Sequence, residues 1–316
     1  MSSSSQSPLT FREFHTAFPD QESCVDFLAK VRWPDGFRCP VCSGSSAWRL
    51  ACRPLWECRD CGRQTSVTSG TVMHRSRQPL TTWMYALWLL AVRRTSISAL
   101  QFQRESGFRS YRTAWTMLHK LRCSLGERKT FPLHRGIVEV DESIVGGGGK
   151  GVARRLGPGG AWIVLAIERL EIDRGDKSYQ ASGSARAAVT FDTRAPTRQG
   201  FVVDSVRAGT RIATDGWGAY KGLAERGYQL EMHVQHGKRE VMDQHLPKVH
   251  LFFSNLKAWI NGTFHGASSK YLARYVDEFV YRFNRRSLPN LFDYFCRRAM
   301  QTTWTAAARL APELMT

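Results

Sequence analysis

The chain has 316 residues, 42% of them hydrophobic, and 45 Lys and Arg against 27 Asp and Glu give a formal charge of +18. That length suggests about two domains, and the apolar content suits ordinary globular cores rather than a disordered or fibrous chain. The positive excess runs along the whole chain and suits a polyanion, for which nucleic acid is the usual case. No lipidation signal or strongly basic amphipathic helix points to a membrane surface.

The N-terminus, residues 1–20, is polar, lacks the apolar core of a signal peptide and reads as loosely ordered. The expectation is a soluble cytoplasmic protein, where disulfides rarely persist, so the eight cysteines ask for another explanation. Four fall as Cys39-Pro-Val-Cys42 and Cys58-Arg-Asp-Cys61, with fifteen residues between the pairs that can form a short hairpin. Two such knuckles close a tetrahedral site for Zn²⁺. With no open position the zinc is structural, and a ribbon over 21–75 needs it to fold. Cys52 reads as a bystander, and Cys24, Cys123 and Cys296 as isolated core cysteines. Arg38, Arg49, Arg53, Arg59 and Arg63, with Trp48 and Trp56 between them, suit contact with nucleic acid. A ribbon can equally be a protein-docking knob.

Residues 76–130 read as helical. In "PLTTWMYALWLLAVR" (79–93), Pro79 suits an early position and Trp83, Leu87 and Leu90 recur at helical spacing. Its greasy run, "WMYALWLLAV" at 83–92, is too short to span a bilayer. Ser96 or Ser98 can cap a short helix and Gly107 marks a turn. Ser110 can cap a second helix with Tyr111, Ala114, Trp115, Leu118 and Leu121 on its apolar side. This is the outline of a helix-turn-helix, and also of a plain helical hairpin. In the first reading Arg109, Arg112, His119, Lys120 and Arg122 lie on or near the polar face of the second helix.

From 131 to 298 the pattern is α/β. The segment "IVEVDESIVGG" (137–147) is built like a buried strand, with Glu139 and Asp141 on one face and Val138, Val140 and Glu142 on the other. Burying neighbouring carboxylates is costly unless a cation or partner is present; the other reading is a strand end entering a solvated loop. "AWIVLAIERL" (161–170) is a neighbouring strand, and "GGGGKGVARRLGPGG" a basic loop without the setting of a phosphate loop. Shorter strands are expected near 186–192 and 200–204. Another ends at Ile212 and Ala213, with Asp215 where it opens into Gly216 and a helix from Trp217 to Ala224. An acid at a strand end suits chemistry in an open sheet, and a helix-capping Asp would look the same. A helix "VHLFFSNLKAWI", a long helix over 269–286 and an Ala-rich tail, 299–316, complete the chain.

Together, "CPVCSG…WECRDCGRQTSVTSGTVMH", "VEVDESIVGG", "TDGWGAYKGL", "FFSNLKAWINGTFHG" and "YLARYVDEFVYRFNRR" resemble the bacterial insertion-sequence transposases of the DDE class, in the branch with an N-terminal zinc ribbon. The resemblance covers most of the chain, about residues 20–295. It implies an α/β, ribonuclease-H-like catalytic domain behind the ribbon and the helix-turn-helix-like segment. It also implies DNA transposition: binding of terminal inverted repeats, metal-dependent phosphodiester cleavage and strand transfer into target DNA. Asp141 and Asp215 correspond to the first two acids, ligands of a catalytic Mg²⁺ or Mn²⁺.

The family's third acid lies at the start of "VHLFFSNLKAWI", which holds no Asp or Glu. There Val249, Phe252, Phe253, Leu256, Trp259 and Ile260 form a buried stripe, with His250, Ser254 and Lys257 on one flank. Asn255 lies on the other flank, about 140° round from His250, so only one of the two can face the metal. His250 keeps the family's spacing to Lys257 and takes the third catalytic place; the branch also has members with Asn, so Asn255 stays open. A neutral His or Asn cancels less metal charge than a carboxylate, and the imidazole of His suits Mn²⁺ better than Mg²⁺. The resemblance further implies double-stranded DNA as partner, a homodimer that joins two ends, and association with the nucleoid. DNA contacts fall to Lys257, Arg109, Arg112, Lys120, Arg285 and Arg286, with Lys270, Arg274 and Arg282 as extensions of the basic track. The missing acid also leaves room for a DNA-binding protein with a catalytically inactive transposase-like domain.

Overall fold

The computed structural model describes residues 10–51, 53–126, 131–145, 161–175, 177–215, 218–232 and 245–303. The glycine-rich loop after Val145, Cys52, Gly216, Trp217 and most of the C-terminal tail lie outside the described residues. The chain divides into two compact units, one running to Leu125 and resuming at Ser287, the other spanning Gly126–Arg286.

The first unit begins with helices α1 (Phe11–Ala17) and α2 (Gln21–Arg32), each opened by a capping box, Thr10 with Glu13 and Asp20 with Ser23. Part of the N-terminus expected to be loose is therefore helical; buried Phe14 packs against Trp88 and Phe18. Strands β1 (Ala47–Arg49), β2 (Leu55–Cys58) and β3 (Gln64–Ser66) form the antiparallel ribbon. Helix α3 (Leu80–Val92) is apolar nearly all round and buried. Helix α4 (Ala99–Ser106) is capped by Ser98 and ends on Gly107 at φ 67°, a left-handed conformation that glycine adopts without strain. Helix α5 (Tyr111–Leu125) follows.

Two expectations for α5 fail. His119 and Arg122 are buried, His119 stacked on Trp115 at 4.0 Å and Arg122 donating to the Ile97 carbonyl at 3.0 Å. Tyr111 is exposed instead. The reason is that a long cationic side chain can be buried wherever a distant carbonyl accepts from it, which helical periodicity does not report. A last helix, Leu291–Gln301, also belongs to this unit rather than to an α/β domain ending at 298. Its Phe292 packs on Phe18 and Phe27, and Arg298 donates to the Ser124 carbonyl.

The second unit is a five-stranded sheet: β4 (Ile137–Val145), β5 (Ala161–Arg174), β6 (Lys177–Thr190), β7 (Arg211–Thr214) and β8 (Gln229–Met232), in spatial order β6-β5-β4-β7-β8. Strands β4, β5 and β6 form an antiparallel meander, and β7 runs parallel to both β4 and β8. One face packs α6 (Ala195–Ser205) and a 3-10 helix (Gly218–Arg226) onto Val138, Val140 and Ile212. The other packs α7 (Pro247–Phe264) and α8 (Ser269–Asn284) onto Ile163, Leu165 and Ile167. This is a helix–sheet–helix sandwich with one apolar core on each side.

The expected strand at 200–204 is the second half of α6. Pro196 opens that helix, and Arg198, Phe201, Val202 and Ser205 are buried at helical spacing. The helix expected from 217 takes 3-10 form. β6 begins well before 186; its stretch "SYQASGSARAA" is too polar and small to announce a strand. A bulge between Ile167 and Arg169 sets Glu168 against Gly183, where a Cβ would stand 2.6 Å from its carboxylate, so only glycine fits. Among the described residues no helix is long and apolar enough to cross a membrane.

Candidate functional site

The four predicted zinc ligands converge. The Sγ atoms of Cys39, Cys42, Cys58 and Cys61 all lie within 4.8 Å of one another, with Cys39 to Cys61 at 3.6 Å and Cys42 to Cys58 at 3.5 Å. Zinc–sulfur bonds of about 2.3 Å in a tetrahedron require sulfurs about 3.8 Å apart, so the set fits Zn²⁺ and leaves no open position. Positive φ at Ser43 and Gly62 turns each knuckle, and the Val41 N–H points at the Cys39 sulfur.

In the second unit, β4 presents three acids in three different settings. Glu139 is fully buried; its carboxylate accepts the N–H groups of Lys248 and Val249 and pairs with Arg169 at 3.1 Å. Glu142, on the opposite face, pairs with the buried guanidinium of Arg198 and accepts the Tyr220 hydroxyl at 2.9 Å. Asp141 is different. Among the described contacts its carboxylate accepts the Glu142 N–H at 2.8 Å and faces His250 Nε2 at 3.7 Å, with no arginine bonded to it. Burial, then the charge of Glu142, then that of Asp215, push its pKa up to about 7 against the weaker pull of Arg198.

Asp215 follows the end of β7. That strand pairs in parallel with β4 through Ile137↔Arg211, Val138↔Ile212 and Glu139↔Ala213. Continuing the register sets Asp215 level with Asp141, in keeping with the repulsion between them. His250 comes from the first turn of α7, on the flank that runs along β4. Lys257, two turns on, donates from that flank to Ser143 Oγ at 2.7 Å. Asn255 is exposed on the other flank. The structure therefore sets His250, and not Asn255, against Asp141, with Asp215 near enough for its charge to act on Asp141; among the described residues only the four cysteines bring three or more ligand atoms within 4.8 Å of one another. Two carboxylates and an imidazole, with burial opposing the charged form of Asp141, are donors whose chemistry suits a divalent cation, which would have to draw them closer together.

Residues 134–284 match the ISXO2-like transposase domain, and residues 19–64 match the transposase zinc-ribbon domain. The chain is 26% identical over 281 residues to an uncharacterized protein in transposable element ISH50 of Halobacterium salinarum, covering 84% of this chain and 91% of that one. No solved structure matches it. The chain matches the insertion-sequence transposases with an N-terminal zinc ribbon.

The transposase's basic residues divide into two groups. Arg109 and Arg112 are exposed at the start of α5, and Lys120 is half-buried two turns further on. Ser76, Arg77, Ser110, Thr113 and Thr116 join Arg112 and Lys120 around a cleft of about 310 Å³. Others serve the fold. Arg285 stacks on Tyr281 at 3.8 Å, and Arg286 donates to the carbonyls of Phe283, Gly183 and Ser182. Arg274 pairs with Asp277 and Arg282 with Glu278. On the ribbon, Arg49 pairs with Glu22 and Asp26 of α2, while Arg59 stays exposed over Trp48. Sequence reading passed over Arg169, Arg198 and Tyr220. Only the fold brings them to the acids; nothing local in their segments marks them.

Proposed function

We propose that this transposase excises and inserts its element by metal-dependent phosphodiester cleavage and strand transfer, using Asp141, Asp215 and His250. The observation that carries the reading is His250 facing Asp141, which alone of the β4 acids lacks an arginine bonded to it among the described contacts, with the charge of Asp215 acting on it. The strand order supports a ribonuclease-H-like domain: three antiparallel strands, then two parallel ones added beside the first. The α4–Gly107–α5 outline supports a helix-turn-helix.

Asp141, Asp215 and His250 would hold Mg²⁺ or Mn²⁺, which when bound activates the attacking oxygen and stabilises the leaving one. The chain's own groups arrange the rest. The Glu142 N–H holds the Asp141 carboxylate in one orientation. Arg198 and Tyr220 occupy Glu142, so it does not compete as a ligand. Lys257 stands on the same flank of α7 as His250 and offers its ammonium to a phosphate beside the cut. The ribbon and Arg109, Arg112 and Lys120 supply contacts to the terminal inverted repeats. Arg285 and Arg286, engaged within the fold, add their charge to the same field. Joining two element ends calls for a homodimer.

The test is strand cleavage of a labelled terminal-repeat duplex with Mg²⁺ and with Mn²⁺. Cleavage that Asp141→Asn abolishes is expected. A protein that binds the duplex but cuts it with neither metal is instead an inactive relative that only binds DNA.

A further inference from the structure

Helix α7 carries His250 in its first turn, and that turn has no cap of its own. The N-cap residue is Leu246, which has no side-chain acceptor, and Pro247 has no N–H. The first free backbone donors are those of Lys248 and Val249. Both go to one oxygen, Glu139 Oε2, at 2.8 and 2.9 Å, from a strand more than a hundred residues earlier. The other oxygen accepts from Arg169 Nη1 at 3.1 Å, and the same nitrogen donates to the His245 carbonyl at 2.8 Å. One buried carboxylate and one guanidinium thus fasten β4, β5, the chain entering α7 and its first turn into a closed set of bonds. A negative charge at a helix N-terminus is also favoured by the helix dipole.

Glu139 and Asp141 are two residues apart on the same face of the same strand. Whatever fixes α7 against Glu139 also fixes His250 against Asp141. We propose that Glu139, with Arg169 behind it, is a positioning residue for His250: it holds the imidazole at the catalytic cation site without touching the cation. This rests on the metal site proposed above. A neutral imidazole binds a hard cation less strongly than a carboxylate. This chain's site therefore relies more on how firmly its third ligand is held.

The test is Mn²⁺ binding to the full-length, zinc-loaded protein without DNA, followed by the paramagnetic resonance signal of free Mn²⁺. Glu139→Gln keeps the shape and an acceptor oxygen but loses the charge. It is expected to weaken Mn²⁺ binding about tenfold, the lower end of what outer partners of metal ligands contribute. In a His250→Ala background the same change should cost nothing further, because the ligand it positions is gone. A purely structural role would lower the melting temperature equally in both backgrounds and leave Mn²⁺ affinity unmoved. Arg169→Lys, which keeps a cation beside Glu139 but loses the second bond to His245, should weaken binding in the same direction and replaces Glu139→Gln if that variant does not fold. Wild-type affinity in either folded variant, or an equal loss in the His250→Ala background, overturns the proposal. If Asp141→Asn also leaves Mn²⁺ binding unchanged, the metal site itself is misassigned and the positioning role falls with it.

Discussion

His250 Nε2 stands 3.7 Å from Asp141 Oδ2, and no other side chain of α7 is in ion-pair contact with that carboxylate among the described residues. The relationship separates His250 from Asn255, which is exposed on the other flank of α7. His250→Ala is expected to lower cleavage of the terminal-repeat duplex by about 100-fold, and Asn255→Ala to leave it within about twofold of wild type. His250→Glu restores a hard oxygen ligand and should shift the ratio of Mg²⁺- to Mn²⁺-supported rates about tenfold toward Mg²⁺. Equal losses from His250→Ala and Asn255→Ala in paired assays would refute the assignment.

Asp141 also makes a statement about pH. Its folded pKa of about 7 lies above its ordinary 3.8, so between those values the metal-free folded protein holds a proton that the unfolded chain has released. Stability then falls as pH rises from about 4 to about 7 and levels off above, a contribution on the order of 4 kcal/mol. Asp141→Asn removes the titration, so the metal-free variant should melt higher than wild type at pH 7.5 and close to it at pH 4.5. Adding Mn²⁺ at pH 7.5 should raise the wild-type melting temperature and leave the variant's nearly unchanged apart from the zinc ribbon. Melts at the two pH values, with and without Mn²⁺, decide this.

Strand β4 could be read from sequence to its ends, because an apolar run with acids at alternating positions has few other interpretations. The zinc ligands were equally plain, since two C-x2-C knuckles at that spacing have one chemistry. The resemblance singled out Asp141, but what the residue pattern did not show was why Asp141, rather than Glu139 or Glu142, has no arginine bonded to it among the described contacts. Glu139 and Glu142 look as available as Asp141 until Arg169 and Arg198 are seen against them. Those arginines come from β5 and α6, through contacts that no local pattern encodes. Likewise "FVVDS" suits a strand by composition, and only the burial of Arg198, Phe201, Val202 and Ser205 shows that its period is helical.

The Glu142–Arg198 pair is almost wholly buried, with side-chain exposures of 4% and 0%. Removing one partner leaves the other charge in the interior. Arg198→Met should therefore destabilise the protein by about 3–5 kcal/mol, while the double change Arg198→Met with Glu142→Gln should recover a large part of that loss. Tyr220→Phe removes one hydrogen bond to the same carboxylate and should cost about 1–2 kcal/mol. Urea denaturation of these three variants, with Glu142→Gln alone as the fourth corner of the cycle, measures the coupling. A double variant as unstable as Arg198→Met alone would show that packing, rather than charge, dominates at this site.

Arg112 and Arg122 lie ten residues apart on α5 yet should respond to substitution in opposite ways. Arg112 is exposed, beside the cleft that Lys120 also lines. If they meet DNA phosphates, Arg112→Gln and Lys120→Gln should each reduce the slope of log K against log salt by about 1, with equal effect on repeat and unrelated duplexes. Arg122 is buried on the Ile97 carbonyl, so Arg122→Gln should leave the slope unchanged and lower the melting temperature of the first unit instead. Removing zinc with a chelator should reduce DNA binding together with the far-ultraviolet signal of the ribbon, since four free thiolates do not hold so small a sheet. Fluorescence anisotropy of a labelled duplex across a salt series reads these outcomes. A slope unchanged in both Arg112→Gln and Lys120→Gln would move the DNA-facing surface of this unit away from α5.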